Sequence, residues 1–200
     1  MIVTAAQAVA ALAAGEVVAI PTDTVYGLAV DPGMPGATDR LFALKERPED
    51  VALPVLVANT AAAEALAELD AAELRLLERY WPGALTLVVR RRPAVAYELG
   101  GDASTIGLRC PAHPLALELL AVTGPLAVTS ANRHSQPPCQ SAGAVSTAFG
   151  GSMPILDGGL CDGQSSTVVA VSAGGVVCLR AGALALSEIE RVAASGPTGP

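Results

Sequence analysis

The sequence predicts an α/β domain with a buried sheet, and three observations predict it. Short runs rich in Val, Ile and Leu recur along the 200 residues, each of strand length and continuously apolar, as strands covered on both faces are. Amphipathic helical segments separate these runs, which is the alternation that lays helices over a sheet. Hydrophobic residues make up 52% of a chain long enough for one substantial core and too short to promise two domains. One domain over residues 1–195 is the expectation, with residues 196–200 of the closing "SGPTGP" a disordered tail.

The elements follow in order. Thr4 with Gln7 makes a capping box for an Ala-rich helix that ends at Gly15. No Lys or Arg precedes that apolar stretch, so it reads as a mature helix rather than a secretory signal. "VVAI" (17–20) is the first strand, and a helix runs from about Ala37 to Glu46, stopped by Pro48. "PVLVA" (54–58) is a strand, and Asp70 with Glu73 opens another helix through a second capping box. "LTLVVR" (85–90), "STIGLR" (104–109) and "LAVTS" (126–130) are strands, with a helix between the last two that places Pro114 in its first turn. Ser141 caps a helix that ends at Gly150-Gly151. "STVVAV" (166–171) and "VVCLR" (176–180) complete the strands, and Ser187 caps the last helix.

Composition excludes several function classes. A net charge of −7 argues against broad coating of nucleic acid or an anionic membrane, and leaves room only for a local basic pocket. Cys110, Cys139, Cys161 and Cys178 lie too far apart for CxxC metal pairs, and Cys110 with His113 forms a lone C-x-x-H, so buried free thiols in a reducing cytosol are expected rather than zinc. The uncharged stretch from His134 to Leu156 is broken by Pro, Gly, Ser and Gln, and no other run reaches membrane length, so the protein is expected to be soluble.

Polar residues with no place in a core gather where strands end. "AIPTDTVYGL" runs into Pro21, Thr22, Asp23 and Thr24; "LAVTSAN" runs into Thr129, Ser130 and Asn132; two further strands end in Arg109 and Arg180. Each alone is ordinary: Thr-Asp-Thr is a common Asx-type turn, and a strand-final Arg commonly reaches solvent. Four such ends together suggest one site, because ligands of open α/β sheets sit at strand ends. Lys45 is the only lysine against eleven arginines. At a helix C-terminus it favours the dipole, as any Arg would, but a compact ammonium differs from a guanidinium when it must follow a moving charge. There is no GxxxxGK[ST], no GxGxxG after a strand and no GxSxG, so a bound phosphate would depend on side-chain cations.

"IPTDTVYGLAVD", "LFALKERP", "STIGLRCPAHP", "GPLAVTSAN", "DGG" and "SSTVVAV…VVCLRAGA", in this order from about Val17 to Ala183, resemble the YrdC/Sua5 family of threonylcarbamoyl-AMP synthases, in the short YrdC-type form. The resemblance implies a twisted, open mixed sheet around a concave cationic cavity. It implies a cytoplasmic nucleotidyltransferase that forms L-threonylcarbamoyladenylate and pyrophosphate from L-threonine, bicarbonate and ATP. A t6A transferase complex would receive the intermediate for adenosine 37 of tRNA. By the same resemblance Lys45 and Arg47 are catalytic and hold ATP phosphates, with Thr105, Ser130, Asn132 and Arg180 as further ATP contacts. Arg109 binds the threonine carboxylate as a planar fork, and Thr22, Thr24, Ser130 and Ser166 complete the amino-acid pocket. Mg²⁺ is expected to ride on the ATP phosphates, with no protein metal site. Two other readings of the residues are a module that binds RNA in the concave site and a nucleotide-binding paralogue without this turnover. The chain departs from the family pattern at Arg133-His134-Ser135-Gln136, at Val51-Ala52-Leu53, and at Ser165 and Ala170.

Overall fold

A computed structural model describes residues 1–46, 50–133 and 136–195 of the chain. The tail assigned as disordered and Pro48, read as the helix stop, lie outside those residues. From the N-terminus the elements are β1 (Ile2–Val3), α1 (Ala5–Ala13), β2 (Val18–Ile20), β3 (Gly27–Val30), α2 (Ala37–Lys45), β4 (Val55–Leu56) and α3 (Thr60–Leu66). There follow β5 (Ala67–Glu68), α4 (Ala71–Tyr80), β6 (Leu85–Arg91), β7 (Thr105–Arg109), α5 (Pro114–Thr123) and β8 (Leu126–Ser130). The chain continues through α6 (Ala142–Phe149), β9 (Ile155–Leu156), β10 (Thr167–Ser172), β11 (Gly175–Arg180) and α7 (Leu186–Ala194).

Among the described residues the strands form one open mixed sheet in the order β1-β9-β2-β3-β8-β4-β7-β6-β10-β11, with β5 paired to β6. The pairs β2–β3, β3–β8, β6–β7 and β10–β11 are antiparallel, whereas β4–β7 and β6–β10 are parallel. The buried residues form two cores on opposite faces. One, around Leu12, Ile20, Leu56, Leu119 and Leu120, lies under α1 and α5 and takes no residue from β6, β7, β10 or β11. The larger one gathers Leu41, Leu76, Leu77, Val145 and Ile189 from the helices of the other face. Each such leucine contributes about 1.5–3 kcal/mol through removal from water. The face bearing α1 and α5 is thus covered at the β9–β4 end of the sheet. The functional cleft lies where that cover stops.

Local chemistry explains the boundaries. Both capping boxes are present: Thr4 and Gln7 open α1, and Asp70 and Glu73 open α4. Pro114 starts α5 and Ser141 caps α6. α2 ends at Lys45 because Glu46 adopts a left-handed conformation with φ 49, a turn that a non-glycine residue enters at a cost of about 1–2 kcal/mol. Ser187 is not the cap of the last helix; Ala185 holds that position without a side-chain bond, and Ser187 falls inside the first turn. "PVLVA" shortens to Val55–Leu56. Three of the thiols are buried, but Cys178 is exposed because β11 is the outer strand of the sheet.

One irregularity decides where a cation goes. Along the β10–β11 hairpin Val169 faces Cys178 and Ala170 faces Val177, but Val168 faces Arg180, so Leu179 is an extra residue in a β-bulge. In regular pairing at the same strand length Arg180 would face Thr167, whose hydroxyl points to the opposite, buried side and bonds Leu184 O at 2.9 Å. The bulge puts Arg180 on the face of Val168 and of Thr86, its partner on β6.

Candidate active site

The strand ends meet in a cleft lined by Thr22, Thr24, Thr86, Arg109, Ser130, Ser166 and Arg180, with apolar floor from Leu56 and Val128. Leu56 is paired with Arg109 across the parallel β4–β7 ladder, and Thr86 and Arg109 lie one step beyond the Leu87–Leu108 pair, on one face. Of the residues assigned to the amino-acid pocket, Thr22, Thr24, Arg109, Ser130 and Ser166 are all brought together here.

Arg109 is buried and held from three directions. Its Nε donates to Gly83 O at 2.9 Å, Nη1 to Thr24 Oγ1 at 3.1 Å, and Nη2 to Asp23 Oδ1 at 2.7 Å. A guanidinium carries five N–H donors, so two remain for a ligand. Thr22 donates its hydroxyl to Val25 O at 2.6 Å, so in the 2.9 Å Thr22–Thr24 pair Thr24 is the donor. Hydrogen bonds therefore run from Arg109 through Thr24 and Thr22 to the backbone, with every proton direction set. Asp23 does not make an Asx turn; its carboxylate is spent on Arg109 and on the Ala112 N–H at 2.9 Å.

Arg180 donates through Nη2 to Ser166 O at 2.8 Å and Ser166 Oγ at 2.9 Å, and Ser166 Oγ meets Thr86 Oγ1 at 2.9 Å. Burial holds the Arg109 guanidinium below its ordinary pKa, Asp23 opposes that shift, and the charge of Arg180 adds to it. Two arginines thus share one partly dry cleft beside a single carboxylate. In a protein of net charge −7 this is a local electropositive centre, and low dielectric strengthens its pull on an anion.

Lys45 lies beside the cleft rather than in its wall. Its ammonium donates to Ser130 O and Asn132 Oδ1, each at 2.9 Å, and to Asn132 O, and Ser130 Oγ donates to Asn132 Oδ1 at 2.6 Å. Lys45 therefore clasps the Ser130–Asn132 loop. Three acceptors converging on one tetrahedral ammonium is a geometry that planar guanidinium does not match. Arg47 lies outside the described residues. Thr105, assigned to ATP by resemblance, is not brought to the cleft: it starts β7, whereas Arg109 ends it, about 13 Å away at the usual rise per residue. Its hydroxyl bonds Asp102 O at 3.3 Å instead.

Sequence reasoning missed Thr86 and Tyr26. Thr86 sits inside an apolar strand, where a lone hydroxyl with no core partner was the available signal. Tyr26 is fully buried; its hydroxyl donates toward Gly159 O at 2.9 Å and Asp157 Oδ1 at 3.2 Å and accepts from Gly158 N–H at 3.0 Å, which ties the Asp157–Gly159 loop to the cleft wall. Burial pushes its pKa from 10.0 up to about 12, so it stays protonated. The Cys110 thiol donates to Ala58 O at 3.3 Å, and burial raises its pKa to about 11. Among the described residues no three His, Cys, Asp or Glu side chains are grouped to hold a metal ion, and no helix is long and apolar enough to cross a membrane.

A mixed α/β sheet whose strand ends present two guanidiniums and a ring of hydroxyls places this protein in the open-sheet class, with an electropositive cleft at its strand ends. Residues 10–182 match the Sua5/YciO/YrdC family model, described as telomere recombination, and the chain belongs to that family. Similar proteins named threonylcarbamoyl-AMP synthase include one from Bacillus subtilis, 37% identical over 192 residues covering 94% of this chain and 56% of that protein. Another, from Chromohalobacter salexigens, is 40% identical over 157 residues covering 78% of this chain and 85% of that one. The crystal structure of P. abyssi Sua5 complexed with L-threonine superposes with a TM-score of 0.87 at 38% identity, covering 94% of this chain and 56% of that one. The chain thus spans little more than half the length of the B. subtilis and P. abyssi proteins.

Proposed function

We propose that the chain is a cytoplasmic threonylcarbamoyl-AMP synthase, which joins L-threonine, bicarbonate and ATP into L-threonylcarbamoyladenylate and releases pyrophosphate, for use by a t6A transferase complex acting on tRNA. The observation that carries this reading is the convergence of Arg109 and Arg180 with Thr22, Thr24, Thr86 and Ser166 in one cleft, in a chain similar to proteins of that name.

The amine of threonine adds to bicarbonate, with loss of water, to form a carbamate. A carbamate oxygen then attacks the α-phosphorus, a new P–O bond forms, and the bond from the α-phosphorus to the bridging oxygen breaks, so pyrophosphate leaves with the electron pair. Both reactants are anions, so repulsion dominates the barrier, and catalysis consists of positioning and charge stabilisation rather than a side-chain nucleophile. Arg109 holds the threonine carboxylate with its two remaining donors. Arg180, anchored on Ser166, faces the nucleotide. Lys45 keeps the Ser130–Asn132 loop in the shape that meets the phosphates. Mg²⁺, held by the triphosphate itself, would supply charge neutralisation there beside the guanidiniums of Arg109 and Arg180.

Purified protein given ATP, Mg²⁺ and bicarbonate is expected to release pyrophosphate only when L-threonine is added, and Arg109→Ala to abolish release. Release that ignores threonine, or ATP binding without release, would refute the reading.

A further inference from the structure

Asp23 lies behind the cleft wall and touches no ligand space, yet it is the one carboxylate spent on the carboxylate-binding arginine. Its Oδ1 accepts Arg109 Nη2 at 2.7 Å and the Ala112 N–H at 2.9 Å, so it links the Thr22–Thr24 turn to the segment that follows β7. The pair is well shielded, with side chains 8% and 18% exposed, so its attraction is little screened by salt. The turn itself is locked from above. A Cβ on Gly163 would fall 2.5 Å from Asp23 O and 2.9 Å from Thr24 Cα, and only glycine lets that backbone lie so close. The carboxylate is thus presented to Arg109 from a fixed platform. Three of the five guanidinium donors, one on each nitrogen, are directed by Gly83, Thr24 and Asp23.

We infer that Asp23 is a positioning residue for amino-acid binding: it fixes the plane of Arg109 so that the two remaining N–H groups meet a carboxylate, and it offsets the second positive charge where Arg109 and Arg180 share the cleft. This rests on the proposed function only for the identity of the ligand. The positioning of Arg109 is a property of the protein alone.

Two measurements test it on the full chain. In ¹⁵N-labelled protein the Arg109 Nη resonances are expected to be resolved, because the paired guanidinium cannot rotate, and to collapse to an exchange average in Asp23→Ala. In steady-state assays Asp23→Ala is expected to raise the threonine KM by about tenfold or more, the scale of one lost charged hydrogen bond, with the ATP KM changed by less than about twofold. Asp23→Asn keeps an acceptor oxygen for Ala112 and Arg109, so it is expected to fold as wild type does and to show a smaller rise. It also keeps the test open if Asp23→Ala does not fold. Nη resonances that stay resolved in Asp23→Ala, equal rises in both KM values in whichever variant folds, or tighter threonine binding by Asp23→Asn would each overturn the inference. A wild-type protein inactive with threonine would instead count against the proposed function, and the resonance test would still decide the role of Asp23.

Discussion

Gly182 follows Arg180 and packs against the backbone of the cleft. A Cβ built there would lie 2.3 Å from Ser165 O, 2.4 Å from Ser166 C and 2.4 Å from Ser166 O, where ordinary contacts begin at 3.4 Å. All three atoms are backbone, so no side chain can swing aside, and the strand must retreat by about 1 Å to admit the methyl group. Ala183 N–H bonds Ser165 O at 3.0 Å, so the two segments cannot separate without losing that bond. Gly182→Ala is therefore expected to cost about 1–3 kcal/mol in stability, as overpacked sites do, and to lower Tm by roughly 2–10 °C. The same retreat moves Ser166 Oγ, which joins Arg180 to Thr86. A displacement near 1 Å in a positioning group costs on the order of a hundredfold in rate. Thermal denaturation read beside threonine-dependent pyrophosphate release checks both. A Gly182→Ala protein with wild-type Tm and wild-type kcat/KM would refute the claim that this backbone contact sets the place of Ser166.

Lys45→Met keeps the apolar stem but leaves Ser130 O, Asn132 O and Asn132 Oδ1 without their charged donor; a loss of about 2–4 kcal/mol is expected in denaturant unfolding, and an unchanged midpoint would contradict the clasp. Tyr26 has its pKa raised from 10.0 to about 12, so its contribution is complete below pH 10 and is lost as pH climbs toward 12, because the unfolded phenol ionises first. Tyr26→Phe is expected to remove a dependence on the order of 2 kcal/mol across that range, visible as a flatter Tm profile than wild type. Thr86→Val removes the hydroxyl facing Ser166 while keeping shape; it is expected to cost about 1 kcal/mol and to raise the threonine KM more than the ATP KM.

Sequence patterning reached the elements whose signals are local. The capping boxes at Thr4 and Asp70, Pro114 at a helix start and the strand ends at Arg109 and Ser130 all follow from neighbours in the chain. It did not reach β1, β5 and β9, two residues each, which exist only because a partner strand is present. It also passed over β3, whose four buried residues continue a loop without any turn signal, and α3, which Asn59 caps in a short alanine-rich stretch. The cleft was legible as a set of polar strand ends, and five residues assigned to the amino-acid pocket do meet in it. What was not legible is which carboxylate pairs with Arg109, that Lys45 bonds a loop about 85 residues away, and that Thr105 lies at the far end of β7 from Arg109. These depend on register and long-range contact, which residue types alone do not encode.

The extra residue Leu179 makes the cleft depend on how many residues the final hairpin contains, not only on which ones. Replacing a side chain in Gly175–Leu179, or deleting Leu179, leaves Arg180 opposite Val168 on the cleft face, whereas one added residue with the bulge kept would set it opposite Thr167 and turn the guanidinium toward the core. Outer strands usually absorb changes of length without consequence. Here one added residue would be ruinous while a conservative swap or the loss of Leu179 would pass, so related chains carrying Arg180 should vary in spelling across this strand and be shorter there rather than longer by one.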